Sequence, residues 1–165
     1  MIDRILKAMI ALVLGGLALM YVTHNIANLP QAHDFFVYTT SHTDQEAYPV
    51  TLLPVPPEPL IWLGMIIVFT LEIAAGVALL WGAFAMWGAR SGADADFEEA
   101  KKFAKIGMGC AIFNWWGLFQ VIAVAGYQLW QMPLGGSPDH GSWVFGAMNM
   151  LGLIYISRRE ATSAP

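Results

Sequence analysis

Apolar residues dominate four long stretches of the chain, Ile5 to Leu29, Leu60 to Trp87, Phe103 to Trp130 and the shorter Ser142 to Ser157, and polar residues collect between them. A hydrocarbon core about 30 Å thick needs roughly 20 helical residues. The first three stretches meet that length, and the fourth can cross if its flanks reach outward. The runs are continuous rather than alternating with period two, which speaks against the strands of a β-barrel. The pattern predicts an all-α membrane protein: one domain over residues 1–165, a bundle of four transmembrane helices at about 5–29, 60–87, 103–130 and 142–157. Arg4 and Lys7 ahead of the first run imitate a secretory signal. The run continues to Val22 with no small-x-small cleavage site behind it, so it is expected to stay as a permanent anchor.

Composition strengthens this reading. Hydrophobic residues make up 57% and charged residues 12% of the chain, the latter about half the share of an ordinary soluble domain. A net charge of −4 leaves no basic surface to neutralise phosphates, which excludes a nucleic-acid partner. The single Cys110 can form no bridge within the chain and reads as a small apolar residue of span three.

Charge also sets the sidedness. Arg4 and Lys7 precede span one, Arg90, Lys101, Lys102 and Lys105 lie between spans two and three, and Arg158 and Arg159 follow span four. The segments Pro30–Pro59 and Gln131–Gly141 hold no Lys or Arg. By the positive-inside rule both termini and the middle loop are cytoplasmic, and the outer loops, with Asp34, Asp44, Glu46, Glu58 and Asp139, form an acidic outer face.

The outer loop between spans one and two ends in Leu53-Pro-Val-Pro-Pro-Glu-Pro59. Proline removes amide donors and fixes φ, so Pro49–Pro59 is expected as an extended strap across the helix ends. Asp34-Phe-Phe-Val-Tyr38 ahead of it suits the membrane interface or the helix tops, with a short interfacial helix admissible there. In the inner loop, Asp94 or Asp96 is the expected cap of a helix whose first turn holds Glu98 and Glu99.

At 1.5 Å rise per residue, Glu72 of span two, Asn114 of span three and Asn149 of span four fall in one layer near the bilayer centre. A lone carboxylate there costs several kcal/mol, so Glu72 is either protonated or paired within the bundle. No Lys, Arg or His shares its depth, and a neutral carboxyl hydrogen-bonded to Asn114 and Asn149 is the expected arrangement, serving as interhelical glue or as a proton or cation site. Gly15-Gly16 in span one permits close backbone approach, and Ala74, Ala78 and Gly82 mark a packing ridge on span two. His24, His33, His42 and His140 all fall on the outer side, where with the nearby carboxylates they are candidate metal ligands. No cofactor is expected: the chain has no phosphate loop, Cys-x-x-Cys or nucleophile beside a His, and a bis-His haem does not fit.

His24-Asn25, Phe35-Phe36-Val37, Glu72, Ala100-Lys101-Lys102 ahead of a glycine-rich span and Trp130-Gln131 occur in an order that resembles the DUF2165 family of bacterial small integral membrane proteins. The resemblance covers most of the chain and implies a four-span inner-membrane protein of undefined activity; it adds no catalytic residue. Two functions remain open. One is a non-catalytic accessory or assembly subunit of a larger inner-membrane complex, such as a respiratory one, whose Met- and aromatic-rich surface packs against the lipid bilayer and other membrane subunits. The other is a small proton-coupled transporter or sensor centred on Glu72.

Overall fold

The computed structural model describes residues 1–160, and no strand occurs among them. Helix α1 runs Ile2–Ala27, α2 Leu29–Thr40, α3 Glu58–Ala89, α4 Asp94–Ala100, α5 Lys102–Ile112 and α6 Gly136–Ser157. From Phe113 to Gly126 the chain of α5 continues as a π-helix, and a 3-10 turn follows at Leu129–Gln131. Three helical stretches are long and apolar enough to cross a membrane: Ile2–Ala27, Glu58–Ala89 and the nearly continuous Asp94–Gly126. Helix α6 has 22 residues, about 33 Å of rise, but opens with the polar run Gly-Ser-Pro-Asp-His.

Small residues are concentrated on the inward faces, and many large apolar residues face outward. The buried stripe of α1 includes Ala8, Ala11, Leu14, Gly15 and Ala18, and that of α3 includes Ala75, Gly76, Leu79, Gly82 and Ala83. Val13, Ile66, Trp81, Phe84 and Leu151 stand more than half exposed on the outside. In water this distribution would leave the large side chains unburied. In lipid it is favourable, because helix association there depends on close packing rather than on hiding apolar surface. A Cβ on Gly15 would press on the Gly76 carbonyl at 3.1 Å, while Gly16 faces open space. A Cβ on Gly82 would collide with the backbone of Ala104, which fixes how closely α3 and α5 approach. The ridge expected at Ala74, Ala78 and Gly82 is therefore displaced: Ala74 is exposed, and the packed face runs through Ala75, Gly76, Leu79 and Gly82.

One end of the bundle is held by charge. Lys7 and Lys101 are 1% and 0% exposed. Both donate to the Arg158 carbonyl at 2.9 Å and to Glu160, at 2.5 and 3.1 Å. Lys7 also pairs with Asp3 at 2.9 Å and Lys101 with Glu98 at 2.6 Å. Arg4 pairs with Asp94, donates to the Gly92 carbonyl at 2.8 Å and lies over the fully buried Phe97 ring. Burial alone would raise the Glu160 carboxyl, but the hydrogen bonds from Lys7 and Lys101 outweigh it and hold the group below its ordinary range. Asp94 does not cap α4, whose cap position is Ala93 with no side-chain bond; its carboxyl is drawn to Arg4 instead.

At the opposite end, α1 stops at Ala27 and α2 starts after Asn28, with Pro30 in its first turn where a missing N–H is harmless. Residues 45–57 have no regular structure. Prolines deprive this segment of donors, and glutamine side chains supply the bonds instead. Gln45 Nε2 donates to the Tyr127 carbonyl at 2.6 Å, Gln128 Nε2 to Val50 at 2.9 Å, and Gln131 bonds both the N–H and the carbonyl of Tyr48. The Tyr127 hydroxyl donates to the Pro54 carbonyl at 3.0 Å.

Candidate functional site

Glu72 continues the inward stripe of α3, between Val68 and Ala75, and is 2% exposed. The corresponding stripe of α1, at Ala11, Ala18 and Val22, leads to Asn25. Asn25 Nδ2 donates to Glu72 Oε2 at 3.4 Å, beyond the usual range for an N–H donor and so a weak bond. Glu72 Oε1 is buried and has no partner among the described residues.

The other two residues of the expected polar layer lie in the same interior without joining it. Asn114 is fully buried, and neither its amide nitrogen nor its oxygen finds a partner among the described residues. Asn149 donates along its own helix to the Phe145 carbonyl at 2.9 Å, and its oxygen is unpartnered. The residue bonded to Glu72 is thus Asn25 rather than Asn114 or Asn149. Equal depth does not mean facing position: the side chain directed at Glu72 comes from α1, while Asn114, near the start of the π-wound segment, finds no partner among the described residues. Asn25 was legible from its place on the α1 stripe, three residues after Val22.

A cavity of about 490 Å³ reaches Glu72 from the end that carries α2. Its rim includes His24, Asn28, Gln31 and Ser137, all exposed. Four of its wall residues form one aromatic cluster: Tyr21 meets Trp115 and Phe145 with ring centroids at 6.0 and 4.7 Å, and Trp115 meets Phe119 and Phe145 at 5.3 and 5.1 Å. The α6 side is fixed by Gln120, whose Nε2 donates to Asp139 Oδ1 at 2.9 Å and to Ser142 Oγ at 2.7 Å. A second cavity, about 320 Å³ and lined mainly by apolar residues, adjoins the first through shared walls at Phe35, Phe36, Val68 and Phe119. Both phenylalanines belong to α2, so the short helix walls both spaces.

The histidines do not converge. His24 bonds the Met20 carbonyl within α1. His33 bonds Glu58 at 2.8 Å and stacks on Trp62. His42 lies in the turn after α2, beside the Tyr127 ring, and His140 is exposed on α6. Among the described residues no three His, Cys, Asp or Glu side chains are grouped to hold a metal ion. The expected histidine cluster fails because its members sit on separate elements, each engaged locally or exposed.

No curated protein and no solved structure matches the chain. The model of a family described as predicted small integral membrane proteins matches residues 3–159. An all-helical chain with apolar outward faces and three membrane-length helices accords with that description, and the protein belongs to the DUF2165 family of small integral membrane proteins.

Proposed function

We propose that this is a non-catalytic, four-span protein of the bacterial inner membrane, with both termini in the cytoplasm, that takes up a solute at Glu72 from the outer side as a carrier or sensor. The observation that carries the reading is a cavity lined in part by Glu72, a buried residue whose Oε1 has no partner among the described residues. A buried ionisable group inside a membrane bundle is by default a functional group. The sidedness is supported by the contacts of Arg4, Asp94, Lys101, Arg158 and Glu160, which gather the basic segments at one end, opposite the cavity mouth. A cysteine placed at Ser137 should then react with an impermeant reagent applied from outside, and one at Ser91 should not.

Dicyclohexylcarbodiimide, an apolar reagent for carboxyl groups, tests the site. It should add one mass equivalent to the wild-type chain and none at position 72 of Glu72→Gln. An unlabelled Glu72 would overturn the reading.

A second reading is the accessory subunit of a larger membrane complex. It is favoured by the outer face of α3, where Ala74 and Gly88 are exposed and Trp81 and Phe84 stand 64% and 69% exposed, a mixture of small and large residues suited to a neighbouring helix. Purification in mild detergent should then retain a stoichiometric partner, and a chain that migrates alone would refute it.

A further inference from the structure

We infer that the Glu72 cavity is a site for an organic ammonium ion with an apolar body. The inference rests on the binding role proposed above and names its ligand class.

Three observations carry it. The unpartnered Oε1 of Glu72 calls for a cation or a donor, and no Lys or Arg lines the cavity. The same cavity is walled by the cluster of Tyr21, Trp115, Phe119 and Phe145, and aromatic faces attract ammonium groups through their ring quadrupole. The cavity itself, about 490 Å³, has room for a ring or a short chain attached to the charged centre, and a second, apolar cavity lies against the shared residues Phe35 and Phe36.

The same features count against a small inorganic cation. Ca²⁺ takes six to eight oxygen ligands and Mg²⁺ demands a near-ideal octahedron. The side-chain oxygens lining this cavity come chiefly from Glu72, Asn25 and the rim, and aromatic carbon forms the rest of the wall. A quaternary ammonium ion is weakly hydrated, so it gives up its water at small expense and needs one counter-charge rather than a shell of oxygens. Glu72 provides that charge, Asn25 orients the carboxylate through its other oxygen, and the rings enclose the methyl groups.

The test uses the full-length protein in detergent micelles with two probes of nearly equal shape, benzyltrimethylammonium and its neutral carbon isostere neopentylbenzene. Equilibrium dialysis should show saturable, one-to-one binding of the cation. Glu72→Gln should weaken it by at least about tenfold while leaving neopentylbenzene binding unchanged. Trp115→Leu should weaken it by about threefold to thirtyfold, the range of a cation–π contact. On the unaltered protein, the cation should protect Glu72 from carbodiimide and the isostere should not, a readout that requires no variant to fold. If the carbodiimide labels Glu72 but the cation neither binds nor protects better than the isostere, the ammonium assignment is wrong and the binding role survives. If Glu72 is not labelled at all, the binding role itself fails.

Discussion

The charged end of the bundle provides the sharpest test of how this fold is held. Replacing Lys101 by Met keeps most of the buried stem and removes the ammonium. The side chain is fully buried and its Nζ has three partners: Glu98 at 2.6 Å, the Arg158 carbonyl at 2.9 Å and Glu160 at 3.1 Å. Breaking a buried pair by removing one partner costs roughly 3–5 kcal/mol. Two features place the effect near the lower bound. The Glu98 side chain is 33% exposed and can recover water, and Glu160 keeps Lys7 at 2.5 Å. The expected loss is therefore about 3 kcal/mol.

The assay is equilibrium unfolding in mixed micelles, followed by the fluorescence of the seven tryptophans. Lys102→Met is the reference, since Lys102 is adjacent, of the same charge and exposed; its effect should stay within about 0.5 kcal/mol. Combining Lys101→Met with Glu160→Gln should cost less than the sum of the two single changes by about 1 kcal/mol or more, because the two residues share one network. If Lys101→Met were no worse than Lys102→Met, the buried network would contribute nothing, and the reasoning would fail.

Because Glu160 is held below its ordinary value of 4.5 in the folded chain, its stabilisation is complete above that value and lost as pH falls through the lowered one; unfolding curves should show this acid loss in the wild type and less of it in Glu160→Gln. Gly82→Ala should destabilise by about 1–3 kcal/mol, since the new methyl meets the Ala104 backbone, whereas Gly88→Ala on the same helix meets open space and should be neutral or stabilising by up to about 1 kcal/mol; equal effects in the same unfolding assay would refute the packing account. Tyr127→Phe removes the bond to the Pro54 carbonyl, worth about 1 kcal/mol, and should speed proteolysis within residues 45–57 relative to the wild type; an unchanged cleavage rate would show that this bond does not hold the segment.

The long helices were legible because apolar runs in lipid need nothing else to specify them, and their observed limits differ from the expected ones by a few residues at most ends. A short interfacial helix around Phe35 was admissible from the sequence; α2 begins earlier, at Leu29, because Pro30 is harmless in a first helical turn. The π winding of Phe113–Gly126 has no simple sequence signal, and depth alone does not say which polar side chain faces Glu72, which is Asn25. The buried charges could have been found. Arg4 and Lys7 lie on the α1 stripe that continues through Ala11 and Val22, and Lys101 lies between Phe97 and Ala104 on the next inward face. A charged residue on an inward stripe at a helix end is engaged rather than solvated, as the ion pairs of Arg4, Lys7 and Lys101 show.

The two polar regions also differ in what surrounds them: both cavities described above lie toward the α2 end. On the charged side of the Gly15–Gly76 crossing, the inward positions are filled by Leu79, Met86, Met108 and Phe97, all fully buried, and the remaining polar atoms are answered by opposite charges. On the other side, one turn away, Glu72 meets Asn25 by a long bond, and Asn114 and Asn149 keep unpartnered atoms. Each unsatisfied buried group costs about 1–3 kcal/mol, so a bundle built only for stability would place apolar side chains there. The charged end shows that this chain can satisfy buried ions when several helices converge on them. The incomplete satisfaction around Glu72, beside 490 Å³ of space walled by aromatic rings, is therefore the part of the fold that folding alone does not account for. On the binding role proposed above, a ligand entering from the α2 end would supply the missing partner.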